Sequence, residues 1–420
     1  MKHIPRGWSV QTVAAVTDRP IKLDPRETRR EKVRYVDIGL IDGPVSHLAD
    51  APTVLSAEAP SRCRQLIATG DTLYSTVRPY LRKVALVSEE LNGEFASTGY
   101  AVLRPTEGLH PAFLYYFTLS KDFEEQILPL QKGVSYPAVL DREVRAQRVW
   151  FPKMREQRRI VEILEDHLSR LDAAQVELRR ARMRANALWT ATLSGAREGE
   201  DVALPEMADI QGGIQKQPKR KPVKHHFPFL RVANVTSAGL DLDDVHRAEL
   251  FGDELSRLRL QRGDLLVVEG NGSPSQIGRA AMWDGSIEDC VHQNHLIRVR
   301  PRAGVLPGYL ESVWNSPENR RTLMEVASSS SGLHTLSVTK LKKLQIPVPD
   351  IDRQREIVVR VEETRAALDR LLSSIAAAEA HGQALRRGVL AAAFEGKLTG
   401  RHTDSEVIDA AVAEPDGEVT

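Results

Sequence analysis

The residues that could carry chemistry in this chain do not form a catalytic pattern. Neither the phosphate-loop motif Gly-x-x-x-x-Gly-Lys-Ser/Thr nor the zinc motif His-Glu-x-x-His occurs in the sequence. The segment GNG at 270–272 begins like a dinucleotide fingerprint, but Ser275 stands where the third glycine is required, so a tight loop between strands is the better interpretation. His292 and His295 would point to opposite faces of a strand, which disfavours a metal site. The sequence also lacks the Asn/Asp-Pro-Pro-aromatic tetrapeptide of amino-methyltransferases.

What remains is chemistry suited to recognition. Lysine and arginine bind phosphate groups, and amide and guanidinium groups pair with the edges of bases. Side chains of these kinds concentrate in five segments, TVRPYLRK, QKGVSYPAV, QKQPKRKPVKHH, EGNGSPSQIGR and SSSSGLHTLSV. The candidate nucleic-acid-binding residues in them are Arg78, Tyr80, Arg82, Lys83, Lys132, Ser135, Tyr136, Lys216, Lys219, Arg220, Lys221, Asn271, Ser273, Ser275, Gln276, Arg279 and His334. A solvated polar loop has the same composition, but the recurrence of such segments at equivalent points of two halves favours binding.

The elements that must position these loops occur twice. REQRRIVEIL at 155–164 and DRQREIVVRV at 352–361 share Gln, Arg, Ile and Val at the same places, 197 residues apart. Downstream of each, apolar residues recur at a spacing of seven, which is typical of a coiled-coil seam. The predicted helix-pairing residues are Leu164, Leu171, Leu178 and Leu188 in the first copy and Val361, Leu368, Ile375 and Leu385 in the second. A helix that packs only on its own domain is the alternative interpretation.

Both copies therefore predict a helix of about 40 residues, or about 60 Å at 1.5 Å per residue. Asp350 is a suitable N-cap for the second helix, and Gly195 and Gly396 stand where the two helices should stop. Because the second helix leaves its domain as the first one does, the two should pair antiparallel, with a pseudo-two-fold internal duplication.

The segments before each helix also match one another, so the duplication covers nearly the whole chain. VRYVDIGLIDG corresponds to FPFLRVANVTSAG, Gly70-Asp71 to Gly263-Asp264, and STGYAVLRP to NHLIRVRP. The predicted fold class is α+β, with two tandem mixed α/β domains separated by two long antiparallel helices that form a coiled coil. The predicted boundaries are 1–152 for domain 1, 153–199 for the central helix, 200–349 for domain 2, 350–400 for the distal helix and 401–420 for an acidic disordered tail.

Composition sets the remaining limits. The chain has 420 residues, 41% hydrophobic and 27% charged, and a net charge of +1, so basic surfaces must be local. Cys63 and Cys290 are the only cysteines, which excludes a disulfide framework or a cysteine-based metal site. The segment MKHIPRGWSV lacks the apolar run of a signal peptide, and we find no apolar stretch of membrane-spanning length. We therefore expect a cytoplasmic protein without a membrane partner.

In combination, these features resemble the specificity (S) subunits of type I restriction–modification systems. The resemblance rests on IPRGW at the start, STGYAVLRP, LRVANV followed by LDLDDV, EGNGSPSQIGRAAMW, and the Pro-x-x-x-x-Gln-Arg-x-Ile pattern that opens both helices. LRRGVLAAAFEGKL at 385–398 is also typical of the distal helix end, whereas the first helix ends differently, in LWTATLSGAREG. The similarity extends over about 400 residues.

The resemblance implies two target-recognition domains, each of which recognises one half of a bipartite double-stranded DNA site, with the paired helices fixing the spacer. It implies a non-catalytic subunit that binds two methyltransferase (modification) subunits and, through the complex, motor-nuclease (restriction) subunits. No cofactor is expected on this chain, and S-adenosylmethionine, ATP and Mg²⁺ are expected on the partners. The alternatives are a coiled-coil structural adaptor and a stand-alone DNA methyltransferase or nuclease, which the missing catalytic motifs disfavour.

Overall fold

The computed structural model describes residues 4–42, 47–48, 50–236, 239–270, 276–327 and 335–399. Four of the candidate residues, Asn271, Ser273, Ser275 and His334, lie outside the described residues, as does the expected tail from residue 401 onward.

Clustering of contacts divides the chain into two compact units. Unit 1 comprises Met1–Arg179 and Ala376–Thr420, and unit 2 comprises Arg180–Ile375. Among the described helices, none has the length and apolar composition needed to cross a membrane.

Four antiparallel strands form the main sheet of unit 1, in the order Val84–Leu86, Thr72–Ser75, Tyr100–Pro105, Thr17–Asp18. All four residues of Thr72–Ser75 are buried, as expected for a strand that is covered on both faces. Side chains alternate between two cores, since Ala101 and Leu103 pack in the larger core, together with helix Pro111–Thr118, while Val102 packs in a smaller one.

A second sheet of unit 1 has five strands, in the order Ile21–Lys22, Cys63–Leu66, Phe95–Ser97, Lys32–Val36, Thr53–Leu55. Phe95–Ser97 runs parallel to Lys32–Val36, and the other neighbours are antiparallel. The remaining strands of unit 1 form the pairs Ser9–Thr12 with Arg148–Phe151 and Ile41–Asp42 with His47–Leu48. Its short helices are Pro111–Thr118, Lys121–Ile127 and Asp141–Arg145, and its 3₁₀ turns are Val13–Ala15, Pro25–Glu27, Ile38–Leu40, Ser56–Glu58, Pro79–Leu81, Glu89–Leu91 and Leu128–Leu130.

Unit 2 repeats the main sheet with the same connectivity. Given in the same order as in unit 1, its strands are Ala280–Met282, Leu265–Val268, Leu296–Pro301 and Ala208–Gly212, and all neighbours are antiparallel. Its second sheet has three strands, His246–Glu249, His226–Leu230 and Val291–His292. Two further pairs join Glu200–Ala203 to Gln345–Val348 and Val235–Thr236 to Gly239–Leu240. Its short helices are Leu204–Met207, Glu254–Leu258, Pro307–Trp314, Pro317–Ala327 and Val338–Leu341, with 3₁₀ turns at Pro218–Arg220 and Val232–Asn234.

The matched Gly-Asp turns lead into the same strand of each main sheet. Gly70 and Gly263 have φ of +85° and +93°, a region that favours glycine, and a Cβ there would approach a proline ring of the following helix to 3.2 and 2.8 Å. The next residue, Asp71 or Asp264, is buried and forms a bidentate ion pair with Arg104 or with an arginine at position 300. The predicted duplication is therefore present in strand order, turn geometry and buried charge.

The two predicted long helices are confirmed as Met154–Ser194, the central helix, and Ile351–Phe394, the distal helix. Asp350 caps the distal helix by accepting a hydrogen bond from Arg353 N at 2.9 Å. The expected Gly195 follows the last residue of the central helix directly, and the distal helix ends two residues before Gly396.

Within each unit, the parts of the two helices that belong to it pair antiparallel. In unit 1, Asp172 of the central helix pairs with Arg386 of the distal helix, and Glu156 accepts from Thr399 at 3.0 Å. In unit 2, Arg360 donates to the Gly195 carbonyl at 2.7 Å. Residue numbers fall along one helix as they rise along the other, as the predicted antiparallel coiled coil requires.

Candidate nucleic-acid interface

Two candidate loops of unit 1 are joined by backbone hydrogen bonds. Arg78 N donates to Pro137 O at 2.7 Å, and Val77 forms an isolated β-bridge with Ala138. Lys132 and Ala138 pair across the second loop, which closes it into a short hairpin. The 77–83 and 131–139 segments, which are about 50 residues apart in sequence, therefore form one surface.

The polar side chains of this surface differ in how firmly they are held. Lys132 lies 3.3 Å from Glu143, and Lys83 donates to Ile38 O at 3.4 Å. Tyr80 and Tyr136 are exposed, with 46% and 73% of their surface accessible. The Arg78 guanidinium lies 5.0 Å from the centre of the Tyr136 ring. Ser135 is also exposed, and its carbonyl accepts a 3.4 Å hydrogen bond from Arg78.

The basic loop of unit 2 is held from inside by two glutamates. Arg220 pairs bidentately with Glu254 at 2.8 Å, and this interaction lowers the pKa of Glu254 to about 2. Glu249 accepts hydrogen bonds from the backbone N–H groups of Val223, Lys224 and His225, at 2.9, 3.1 and 2.7 Å. These backbone bonds lower the pKa of Glu249 and fix the course of the loop.

Four lysines of that loop remain exposed, Lys216, Lys219, Lys221 and Lys224. A cavity of about 540 Å³ lies between the loop and the second sheet, and its walls include Lys216, Lys221 and Arg247. Its apolar part includes the buried Phe229 ring. The cavity thus combines positive charge with an apolar wall, a combination that suits a nucleic-acid strand.

Arg82 and Arg279, which lie in corresponding loops of the two main sheets, are bound to the protein itself. Arg82 donates to Leu119 O and lies 3.7 Å from Glu124. Arg279 donates to Val235 O at 2.6 Å and Val232 O at 3.2 Å, and it also contacts Gln276. Burial lowers the pKa of Arg279.

These two arginines line equivalent cavities beside the long helices. The cavity of unit 1 measures about 580 Å³ and that of unit 2 about 570 Å³. Leu171 and Leu178 lie in the wall of the first, and Leu368 in the wall of the second. In each unit a cleft therefore lies between the main sheet's loops and the helix pair.

The predicted helix-pairing residues are buried to different degrees. Leu164, Val361, Leu368 and Ile375 are buried, whereas Leu171, Leu178 and Leu385 are half-buried. Leu188 is 53% exposed. Of these residues, only the one nearest its domain is buried in the central helix, whereas in the distal helix burial extends as far as Ile375.

A pair of glutamines has a role that sequence reasoning did not identify. Gln157 is fully buried, donates to Gly108 O at 2.8 Å and Pro152 O at 2.9 Å, and accepts from His110 N at 2.8 Å. Gln354 makes the same three bonds in unit 2, to the carbonyls of Gly304 and Pro349, both at 2.9 Å, and from the N–H of Leu306 at 2.8 Å.

Each glutamine therefore fastens the first turns of its helix to the loop that precedes helix Pro111–Thr118 or Pro307–Trp314. The available signal was a shared polar residue on the buried face of two otherwise apolar repeats, since a buried amide is kept only where its hydrogen bonds are satisfied.

The two histidines of HQNH lie in different environments. His292 is fully buried with its Nδ1 2.8 Å from Leu296 O, and burial lowers its pKa to about 4. His295 has an exposed side chain and lies 2.9 Å from Glu269. Among the residues that the structure describes, no three His, Cys, Asp or Glu side chains are grouped as metal ligands.

Comparison with known proteins finds similarity to subunits of type I restriction systems. The family model described as Type I restriction modification DNA specificity domain matches residues 30–179. The chain is 28% identical over 320 residues to the type I restriction enzyme EcoKI specificity subunit of Escherichia coli K12, covering 71% of this chain and 68% of that one. It is 26% identical over 314 residues to the StySPI specificity subunit of Salmonella potsdam, covering 71% and 67%.

Solved structures agree over almost the full length. A chain from a study of complex assembly and conformational transition in the type I R-M system superposes with a TM-score of 0.77 at 25% identity, covering 95% of this chain and 100% of that one. The HsdS subunit of Thermoanaerobacter tengcongensis superposes with a TM-score of 0.55 at 25% identity, covering 94% and 99%. Sequence motifs, duplicated fold and relatives all show similarity to the specificity subunits of type I restriction–modification systems.

Proposed function

We propose that this chain recognises the DNA target of a type I restriction–modification complex and has no catalytic activity of its own. The observation that carries the proposal is the duplication, because each unit has the same main sheet, the same buried Asp–Arg pair and its own set of polar loops. Two copies of one recognition fold in a single chain suit a target with two separate half-sites.

In this proposal each unit contacts one half-site of double-stranded DNA. Phosphate contacts from lysine and arginine position the protein, and side chains that reach base edges supply the specificity. The exposed lysines of the 215–226 loop fit the first role in unit 2, and the joined loops of unit 1 offer side chains for both.

We further propose that two methyltransferase subunits and, in the restricting complex, motor-nuclease subunits assemble with this chain. S-adenosylmethionine, ATP and Mg²⁺ are then bound by those partners, and the complex acts in the cytoplasm. This division of labour is consistent with the absence of cofactor motifs from the sequence.

Exchange of one recognition domain tests the proposal directly. Residues 200–349 are replaced by the matching segment of a relative with a different target, and methylated sites are mapped across the genome of a host that carries the complete system. We expect one half-site to change and the other to stay the same. A change in both half-sites would contradict the modular assignment, and methyl transfer by the purified chain alone would contradict its non-catalytic role.

Shortening the long helices tests whether they set the unread spacer. The matched heptads 171–177 and 368–374 are deleted together, which removes two turns, or about 10 Å, from each helix. We expect methylation to shift to sites with the same half-sites and a spacer about 3 base pairs shorter, at about 3.4 Å per step. Retention of the original spacer would show that the helices do not determine it.

A further inference from the structure

Two arginines of one loop in unit 1 adopt a left-handed backbone conformation that residues other than glycine rarely adopt. Arg78 has φ 48° and ψ 58°, Arg82 has φ 52° and ψ 40°, and the two flank the 3₁₀ turn Pro79–Leu81. The left-handed region is sterically unfavourable for residues with a Cβ, and such conformations persist where surrounding contacts hold them. Glycine would adopt this conformation at both positions without strain. The presence of arginine therefore has to be explained by what its side chain contacts.

The side chain of Arg82 makes its contacts within the protein. Its guanidinium donates to Leu119 O at the end of helix Pro111–Thr118 and lies 3.7 Å from Glu124. It therefore ties the loop to the helices of unit 1.

Arg78 has much less to hold it within the protein. Of its five N–H donors, one makes a long hydrogen bond to Ser135 O, at 3.4 Å, and Nε is buried without a partner. No carboxylate lies within ion-pair distance of Arg78 in the part of the chain that the structure describes, whereas Arg82 and Lys132 each have one. The charge of Arg78 is thus uncompensated by the protein.

The Tyr136 ring holds the Arg78 guanidinium at the surface. The centre of the ring lies 5.0 Å from the guanidinium carbon, and 73% of the Tyr136 surface is accessible. Val134 beside it is fully exposed, so the hairpin tip projects from unit 1. A guanidinium held against a ring keeps its planar fork oriented while its outer edge stays free for a bidentate contact.

We propose that Arg78 binds the major-groove edge of a guanine, through the O6 and N7 acceptors, in the half-site contacted by unit 1, and that Tyr136 is its positioning residue. This inference rests on the proposed DNA-recognition function and deepens it. A planar fork with free paired donors matches the two adjacent acceptors of guanine, which is the commonest specific base contact of arginine. A phosphate contact is the competing role for the same charge, and it predicts a different outcome.

The test uses the assembled complex of this chain with its methyltransferase subunits. Arg78→Gly removes the side chain and suits the backbone, and Arg78→Lys keeps the charge but not the fork. For each, binding is measured on the target and on single-base variants of both half-sites, at several salt concentrations. We expect both variants to lose about 5- to 150-fold in discrimination at one G·C pair of the unit 1 half-site, with the other half-site unaffected. Arg29→Ala, which removes an exposed charge of unit 1 outside the loops, serves as the matched control.

The positioning role of Tyr136 has its own readout. Tyr136→Ala should reduce discrimination at the same base pair by a smaller factor, and Tyr136→Phe, which keeps the ring, should restore most of it. Equal losses in the alanine and phenylalanine variants would overturn the positioning role.

Two results would overturn the assignment of Arg78. The first is a uniform loss of affinity on every sequence with a salt slope lower by about 0.9, which identifies a phosphate contact. The second is unchanged discrimination in Arg78→Gly. Either result leaves the proposed function intact, because that function is tested separately by whether the unmodified complex discriminates its bipartite target.

Discussion

Unit 1 and unit 2 each contain a main sheet with the same strand order. They differ in some of the buried side chains and in the size of the second sheet. Ala96 of unit 1 corresponds to His292 of unit 2, and Val102 corresponds to Arg298. All four residues are buried. The second sheet has five strands in unit 1 and three in unit 2, where the basic loop precedes strand His226–Leu230 instead. The main sheet and the glutamine contacts, which both units have, hold the long helices. The second sheet and the basic loop differ between the units. This distribution is what a repeated scaffold with two different specificities requires.

The glutamine contacts provide the largest test of the shared scaffold. Gln157→Leu and Gln354→Leu each remove three hydrogen bonds and leave partly buried backbone groups without these partners, so we expect each to lower the free energy of unfolding by about 4 kcal/mol. Denaturant unfolding, with local hydrogen exchange to assign the affected unit, measures the effect. Effects that differ by more than about 2 kcal/mol between the units would contradict an equivalent role, given the typical scatter of such measurements.

His292 should make unit 2 more sensitive to acid than unit 1. Its pKa is about 4 in the folded protein and 6.5 in its ordinary state, so the stabilising contribution of neutral His292 is complete above pH 6.5. It is lost as the pH falls from 6.5 towards 4, with a total cost of about 3 kcal/mol. Hydrogen exchange followed between pH 7 and pH 4 should show earlier opening in unit 2, and His292→Gln should flatten this dependence. Equal acid sensitivity of both units would contradict this account.

The buried Asp–Arg pairs should respond alike in the two units. Asp71→Asn and Asp264→Asn each replace a buried carboxylate that a single arginine holds bidentately. Because the side chains of Arg104 and its counterpart Arg300 are 30% and 24% exposed, we expect a loss of about 2 kcal/mol, less than for a fully buried pair. Thermal unfolding of the variants measures it, and a neutral effect in one unit alone would break the equivalence.

The smallest expected effect concerns the basic loop that only unit 2 carries. Lys216→Ala with Lys221→Ala should weaken binding uniformly across sequences and lower the salt slope by about 1.8 if both contact phosphates. Competition binding at several salt concentrations measures this slope, and Glu249→Gln, which loosens the loop without removing a positive charge, is the matched control. Loss of discrimination at a particular base pair would instead assign these lysines to base recognition.

The sequence located the loops that carry the candidate residues, but it was less informative about the partners of individual side chains. The candidate segments of unit 1 do meet at one surface. Arg82 and Arg279 looked like binding residues by type, but both donate to backbone carbonyls of their own unit. Arg220 likewise pairs with Glu254, 34 residues away. Residue type indicates what a side chain is able to bind. Only the folded structure shows whether a group of the protein itself already occupies it.

The sequence by itself determined the duplication, the long helices and their antiparallel pairing, because helical periodicity and a repeat offset are properties of neighbouring residues. It also marked Gln157 and Gln354 as a shared feature, but without their purpose. Tertiary structure alone decided that purpose, since their partners lie up to 50 residues away in the chain. It also decided that Arg78, unlike Arg82, has no carboxylate partner and makes a single long hydrogen bond through its guanidinium in the described part of the chain. Local pattern specifies elements, whereas the satisfaction of polar groups depends on which elements the fold brings together.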